Sequence, residues 1–400
     1  MSLTVFGQKK EQFTDPVKLN TSVNSEAEEG APLISFDGKS MYFSRTFHPE
    51  NVGGKMAGQD IWISQRSGFD NWSPATNNFP LINNKNNNSV IGRSRDGKIL
   101  YLLNIYSKGS YMDYGISSWD ITSSAPPVEM EIPGLNIKGN YYGFYMHPDG
   151  EVLLISADME KSKGKEDIYI AVKDTNGIWQ KPINVGGAVN SSGFELSPFI
   201  TDDLQTLYFS SSGRGGRGDA DIFMSTRRNE KWNSWRPAKN MGKTINSKGF
   251  DAYFTITEGQ AYFCSNRESE LSDIYYCRVI SKEELKSMIP DPSKVFFSLN
   301  SYIINADSKP LLDDLVKLLK EKEDLKVVVS GYTCRLGNEL DNLKLAELRA
   351  GSVSDYLQIQ GIDDDRIEML TIGDKEARKL PDTEKIQKDF RKVVITFKYM

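Results

Sequence analysis

Ser197-Pro198-Phe199-Ile200-Thr201-Asp202-Asp203-Leu204-Gln205-Thr206-Leu207-Tyr208-Phe209-Ser210-Ser211 opens a unit that runs on through the glycine-rich loop Gly213 to Gly218. It continues to Asp221-Ile222-Phe223 and closes with Trp232 and Pro237. The parts are a turn at Asp203, an aromatic strand, a polar loop, a strand beginning Asp-aliphatic-aromatic, then Trp and Pro. The same order recurs from Ala31-Pro32 through Asp37-Gly38, Met41-Tyr42-Phe43-Ser44 and Asp60-Ile61-Trp62 to Trp72 and Pro74. It recurs again from His147-Pro148-Asp149-Gly150 through Asp167-Ile168-Tyr169 to Trp179 and Pro182. Two less complete copies surround Asp96-Gly97 with Leu100-Tyr101, and Glu258-Gly259 with Tyr262-Phe263 and Asp273-Ile274-Tyr275. The turn positions 37, 96, 149, 203 and 258 are 59, 53, 54 and 55 residues apart.

A period of this size, with about four short strands per unit, predicts an all-β five-bladed propeller, because each four-stranded sheet buries its faces only against its neighbours. Such a ring must close, since an open end exposes strand edges. The start of the chain supplies a clasp: Pro16-Val17-Lys18-Leu19-Asn20 parallels Pro182-Ile183-Asn184-Val185 and Pro237-Ala238-Lys239-Asn240, and each leads to Val-Asn-Ser or Ile-Asn-Ser. The first strand is therefore expected beside the strand that ends at Cys277, in the last blade. A sixth, degenerate blade is the alternative. These motifs resemble the TolB-like propeller repeats of periplasmic proteins over residues 13–280. That resemblance implies a protein-binding platform, although related propellers also form hydrolases.

Catalytic chemistry finds little material here. The chain has two histidines, His48 and His147, and His147 occupies a repeat turn equivalent to Ser35, so a histidine-dependent triad or metal site is hard to assemble. The loop Arg214 to Asp221 could attract an anion, or calcium through Asp219 and Asp221. Glycine-rich connections between strands account for it more simply. Partner-binding candidates on loops are Phe47, Arg214, Arg217 and Trp235. No enzyme activity, metal or cofactor is implied, with a propeller hydrolase acting on peptide or glycan as the remote alternative.

The 400 residues exceed what one core usually serves, so two domains are expected. No apolar run approaches the ~20 residues of a membrane helix, and no transmembrane segment is read. A net charge of -5 argues against nucleic acid as a partner. Cys264, Cys277 and Cys334 form no disulfide framework. Cys264 and Cys277 fall on adjacent predicted strands and are read as two buried thiols, with a cross-strand disulfide as the alternative. Residues 1–12, with the apolar Ser2-Leu3-Thr4-Val5-Phe6-Gly7, are read as a leader remnant or an unstructured start.

From Ile280 the pattern changes. Ser281 to Lys286 reads as a short helix, and residues 281–294 as a linker punctuated by Pro290-Asp291-Pro292. Residues 295–400 then predict an α/β two-layer sandwich of βαβαββ order. Strands are expected at Val295–Leu299, Lys326–Ser330, Arg366–Thr371 and Lys392–Phe397, with helices at Lys309–Lys320 and Glu339–Gln358. The helices rest on apolar residues at helical period: Leu311, Leu312, Leu315, Leu318 and Leu319 in one, Leu345, Leu348, Val353 and Leu357 in the other.

Val328-Val329-Ser330-Gly331-Tyr332-Thr333, Gly337, Asn342, Leu345, Arg349-Ala350, Val353, Tyr356-Leu357 and Gly361-Ile362 resemble the OmpA-like peptidoglycan-binding pattern, and Gly373 and Arg391 match its end. The resemblance implies that diaminopimelate of the peptidoglycan stem peptide, a zwitterion, is held between an arginine and an aspartate. Arg349 is the matching arginine, whose fork fits a carboxylate at two points. Asn342 lies two turns earlier on the same helix face, and Gly331, Tyr332, Thr333, Leu345 and Val353 complete the implied site. Where the family has aspartate, this chain has Cys334, a thiol that is mostly neutral at pH 7; Ala346 replaces the usual serine. Three explanations stay open: Glu339 or Asp341 supplies the charge, the ligand differs, or binding is lost. The implied function is a non-enzymatic adaptor of the periplasm, associated with the outer membrane. It would bind the peptidoglycan stem peptide through the second domain and an envelope protein through the propeller. The alternative is a component of a large envelope or secretion assembly in which peptidoglycan binding is weak or lost.

Overall fold

The computed structural model describes residues 12–399 apart from 67, 69–70, 107–113, 282–283, 285–286, 288 and 323–324. The expected leader remnant lies outside the described residues except at its last position, as does most of the short helix expected over 281–286. The chain divides into two units, one ending at Ile280 and the other beginning at Ser281.

Among the described residues the first unit is all β and holds five antiparallel sheets. The first has three strands, β2 (Glu28–Ile34), β3 (Ser40–Thr46) and β4 (Asp60–Gln65), reached by β1 (Val17–Lys18). An isolated bridge between Ile63 and Thr76 takes the place of a fourth strand in that sheet. The second comprises β5 (Val90–Arg93), β6 (Ile99–Leu103), β7 (Ile116–Asp120) and β8 (Val128–Met130). The third comprises β9 (Tyr142–Met146), β10 (Val152–Ala157), β11 (Asp167–Val172) and β12 (Ile183–Asn184). The fourth comprises β13 (Glu195–Ile200), β14 (Thr206–Ser211), β15 (Asp221–Thr226) and β16 (Lys239–Asn240). The fifth comprises β17 (Asp251–Thr257), β18 (Gln260–Ser265) and β19 (Asp273–Arg278), and β1 pairs with β19 through Val17 opposite Tyr276. The first strands are neighbours in turn: β2 beside β5, β5 beside β9, β9 beside β13, β13 beside β17, and β17 beside β2.

The repeat residues have identifiable tasks. Asn24, Asn83, Asn190 and Asn246 are buried, and each amide grips one strand residue twice. Asn190 accepts the Ile168 N–H at 2.9 Å and donates to its carbonyl at 3.0 Å. Asn246 does the same at Ile222, Asn83 at Ile61 and Asn24 at Ile274. Each amide thereby continues the ladder where the outer strand stops, satisfying groups that would otherwise be buried unpaired. The aspartate before each isoleucine closes the preceding loop: Asp221 accepts the Arg217 N–H at 2.6 Å and Asn240 Nδ2 at 2.9 Å. Asp221 is thus committed to the backbone of the glycine-rich loop. In the turns, Ser35, Ser94 and Thr201 hydroxyls donate to Asp37, Asp96 and Asp203. At the same turn position the buried His147 Nδ1 accepts the Asp149 N–H at 3.4 Å.

Two loop residues read as partner candidates are placed differently. Trp235 is 3% exposed, its indole N–H donating to Trp232 O, so it belongs to the core. Arg214 binds the carbonyls of Gly187, Val189 and Asn190, which makes it a strut between loops. Cys264 lies opposite Ile274 and Cys277 opposite Ala261; both are buried free thiols, and burial pushes Cys277 up to about 12.

The first strands β2, β13 and β17 of their sheets carry bulges. Register shifts fall between Gly30 and Leu33, Leu196 and Phe199, and Ala252 and Thr255. Within them Ala31, Ser197 and Tyr253 adopt φ of 49°, 44° and 58°, a left-handed conformation that costs energy for residues with a Cβ.

In the second unit the sheet order is β20 (Ser293–Phe296), β23 (Lys392–Tyr399), β21 (Leu325–Tyr332) and β22 (Ile367–Gly373). β21 and β22 are parallel and the other pairs antiparallel. The helices Lys309–Glu321 and Glu339–Ile359 contribute Leu312, Leu315, Leu319, Val353 and Leu357 to a core with Val327, Val329, Val393 and Ile395. Alternation along β21 and β23 sends these valines and isoleucine to one face. Leu348, expected on the buried face of the second helix, is 49% exposed. The inward row is instead Asn342, Ala346, Arg349, Ala350, Val353 and Leu357.

Asn190→Ala is expected to destabilise the first unit by about 3 kcal/mol, because two buried backbone groups of Ile168 lose their partners at about 1–3 kcal/mol each. A shifted guanidinium-chloride midpoint, absent for the exposed turn variant Asn176→Ala, is the measurement.

Candidate functional site

β21 delivers Gly331, Tyr332, Thr333 and Cys334 to one end of the sheet, and the helix Glu339–Ile359 lies against them. Gly331 permits that approach. A Cβ built there would stand 2.0 Å from Ala346 O, so strand and helix backbones touch and both positions require small residues. Asn338 caps the helix by accepting the Asp341 N–H at 2.9 Å.

Arg349, one turn beyond Ala346, is 1% exposed. Its Nε donates to Ser301 O at 2.8 Å, Nη1 to Tyr332 O at 3.0 Å and Nη2 to Ser298 O at 3.1 Å. The guanidinium carbon lies 5.4 Å from the Phe297 ring centroid. These bonds explain why β20 ends at Phe296 rather than continuing to Leu299: the following residues leave the sheet and turn their carbonyls to the arginine. A guanidinium carries five N–H groups, so two remain without an acceptor among the described residues, and its three acceptors are all neutral carbonyls. Burial pulls its pKa down to about 10; Cys334 opposes that shift, and the positive Arg391 adds to it. The Nε of Arg391 is itself buried without a partner. A fully buried guanidinium and a half-buried one beside it, neither in an ion pair among the described residues, favour the approach of negative charge.

Arg366 shows what the same chemistry does elsewhere. It donates to the carbonyls of Leu319, Lys322 and Leu325 and ties the end of the helix Lys309–Glu321 to the sheet. Carbonyl anchoring alone is therefore a structural device in this unit, and Arg349 is distinguished by its place in the motif and by Arg391 beside it.

The remaining expected site residues separate into two groups. Tyr332 is half-buried, lends its carbonyl to Arg349, and sets its ring 6.4 Å from Phe390 and 5.6 Å from Lys392 Nζ. Leu345 is half-buried and Cys334 5% exposed. Thr333 does not reach the rim: it is 1% exposed, its N–H donating to Gly373 O and its hydroxyl to Asn342 O. Gly331 acts through the helix contact and Val353 lies fully buried in the core, so neither presents a group to a ligand.

Asn342 donates to Asp374 Oδ2 at 2.8 Å. Asp374, a residue that the motif reading missed, is 1% exposed and also accepts from Arg378 at 2.6 Å. Burial opposes its ionisation, but the hydrogen bonds from Arg378 and Asn342 outweigh that and hold the carboxyl below its ordinary value. Its Oδ1 has no partner. Glu339 and Asp341 are exposed at the start of the helix, and Asp341 is engaged with Asn338.

Residues 296–391 match the OmpA family. Within this OmpA-like domain the chain is 39% identical over 87 residues to outer membrane protein A of Serratia marcescens, covering 21% of this chain and 24% of that protein. It is 37% identical over 86 residues to outer membrane protein A of Klebsiella aerogenes, covering 21% and 25%. The chain thus spans about a quarter of the length of these curated relatives. Among solved structures it is similar to the peptidoglycan-associated lipoprotein from Burkholderia pseudomallei, at 24% identity and a TM-score of 0.26, covering 26% of this chain and 89% of that one. It is also similar to the cell wall anchor of the T6SS from Pseudomonas aeruginosa, at 22% identity and a TM-score of 0.25, covering 30% and 93%.

Gly331→Ala should push the helix of the OmpA-like domain off β21 and cost about 2 kcal/mol, within the usual range for overpacking. Chemical denaturation of that variant beside Gly351→Ala, where the backbone is helical and an added Cβ meets nothing within 4 Å, separates crowding from the replacement of a glycine as such.

Proposed function

We propose that this chain is a non-enzymatic adaptor of the cell envelope that binds the peptidoglycan stem peptide through its OmpA-like domain and a protein partner through its first unit. It works in the periplasm, associated with the outer membrane. The observation that carries the binding role is Arg349: a buried guanidinium at the motif's arginine position, with neutral acceptors, two N–H groups to spare and a second cation nearby. A stem-peptide carboxylate offers the two-point acceptor that such a fork prefers. It would exchange with the carbonyls of Ser298 and Ser301, which now occupy that side.

The ammonium of the same zwitterion needs an anion that Cys334 does not supply. In this reading Asp374 takes that part through its unpartnered Oδ1, with Asn342 and Arg378 holding the carboxylate in place.

The first unit is read as a five-bladed propeller. Its support is the succession of first strands, each beside the next and β17 beside β2, together with the pairing of β1 to β19 in the last sheet. The boundaries that follow are 13–280 for the propeller, 281–294 for a linker and 295–400 for the OmpA-like domain. A second reading, a component of a larger envelope assembly with weakened wall binding, draws on Cys334 and on the carbonyls that cover Arg349.

Purified sacculi should retain the wild-type chain at pH 7 and release Arg349→Ala and Arg349→Lys. The lysine variant keeps the charge but loses the fork, and its circular dichroism and melting temperature check that the domain stays folded. Retention of a folded lysine variant equal to wild type removes the proposed contact. Asp374→Asn should weaken binding of a stem peptide containing diaminopimelate by at least tenfold, measured by calorimetry, while its amidated carboxylate analogue binds both forms weakly.

A further inference from the structure

The first unit encloses a cavity of about 470 Å³ against its innermost strands. Among the described residues its lining carries no lysine, arginine or histidine; its charged residues are Glu28 and Glu29. Aromatic rings surround them, among them Tyr141, Tyr142, Phe250 and Tyr253. Tyr141 is 75% exposed and Tyr253 38%, so rings stand open at the mouth.

Glu29 is the decisive group. It is 0% exposed, and its Oε1 accepts from Ser25 N at 3.0 Å, Ser25 Oγ at 2.6 Å and Arg45 Nε at 2.9 Å. Its Oε2 is buried with no hydrogen-bond partner. The repeat offers an internal comparison, because the equivalent acids are complete. Glu195 uses Oε2 for Ser191 N at 2.8 Å and Oε1 for the hydroxyls of Ser191 and Ser211. Asp251 uses Oδ2 for Ser247 N and Oγ, and Oδ1 for Arg267 at 3.1 Å. Of these three acids Glu29 alone leaves an oxygen over, and a buried unpaired acceptor is costly. The left-handed residues Ala31, Ser197 and Tyr253 also line the cavity, and strain of that kind gathers at ligand sites.

We infer that this cavity receives a lysine or arginine side chain from an extended segment of a protein partner, with Glu28 and the free oxygen of Glu29 taking the cation and the tyrosine rings flanking it. Aromatic faces attract ammonium and guanidinium groups as carboxylates do, and more strongly when water is excluded. Burial raises the Glu28 carboxyl above its ordinary range and outweighs Ser25 and Arg45 in pushing Glu29 up to about 7; a further cation beside them would act against both shifts. The inference rests on the first unit being a partner-binding platform and names the chemistry of that partner.

The test is calorimetric titration of the full chain at pH 8 with a terminally blocked Gly-Gly-Lys-Gly-Gly peptide, the same peptide acetylated at Nζ, and n-butylammonium. Binding of the first, at least tenfold weaker for the acetylated form, is expected. Glu28→Gln and Glu29→Gln should each weaken it at least tenfold and Tyr141→Ala several-fold. Because Glu29→Gln removes the partner of Arg45, the exposed Tyr141→Ala and half-buried Glu28→Gln keep the result readable if that variant fails to fold. No binding, equal binding of the acetylated peptide, or indifference to Glu28→Gln overturns the assignment. Butylammonium binding as tightly as the peptide assigns the site to a free amine and overturns the peptide source. A chain that captures no envelope protein on cross-linking yet binds the lysine peptide loses the platform reading and keeps the cation site.

Discussion

Backbone groups that leave a regular ladder must find partners elsewhere, and this chain meets that requirement with a few buried polar side chains. In the first unit the asparagines at 24, 83, 190 and 246 serve as one-residue strands, giving and taking a hydrogen bond at the isoleucine each one grips. In the second unit arginines do the equivalent work with carbonyls, Arg366 at the end of one helix and Arg349 beneath the segment after β20. Hydrophobic burial holds the sheets and helices together; these polar contacts decide where each element stops.

This division explains what could be read from the sequence and what could not. The order of elements in the second unit was legible because apolar residues recur at the periods of strands and helices. The face of the helix Glu339–Ile359 was misjudged at Leu348 because Asn342 and Arg349 occupy inward positions, and a reading that counts only apolar residues rotates the buried stripe away from them. The early end of β20 was invisible for a related reason: it depends on carbonyls being claimed by an arginine some fifty residues on. The repeat motif itself was legible, whereas the exchange of roles within it was not. Trp235 resembles a loop aromatic in sequence and is a core residue in space.

The candidate site shows the same limit in chemical form. Arg349 was found because the motif that surrounds it is dense in recognisable residues. Asp374 was not, because nothing adjacent in sequence marks it and its link to Asn342 arises only when β22 is laid beside β21. Arg391 was noticed as the end of a pattern, but its electrostatic pressure on Arg349 depends on the fold. A substitution that removes an expected anion, as Cys334 does, therefore has to be judged with the carboxylates that folding brings near and not with those close by in the chain.

One further property follows from the way the first unit begins and ends. The Ile280 N–H bonds to Gln12 O at 2.7 Å, Phe13 bridges Val279, and Lys18 lies opposite Tyr275. The points where the chain enters and leaves thus sit side by side at one end of an antiparallel pair. Tension applied between them acts on this joint first and peels it a bond at a time, leaving the other four sheets unloaded until β1 has come away. Under such pull the weakest link of the unit is the seam that completes its fifth sheet.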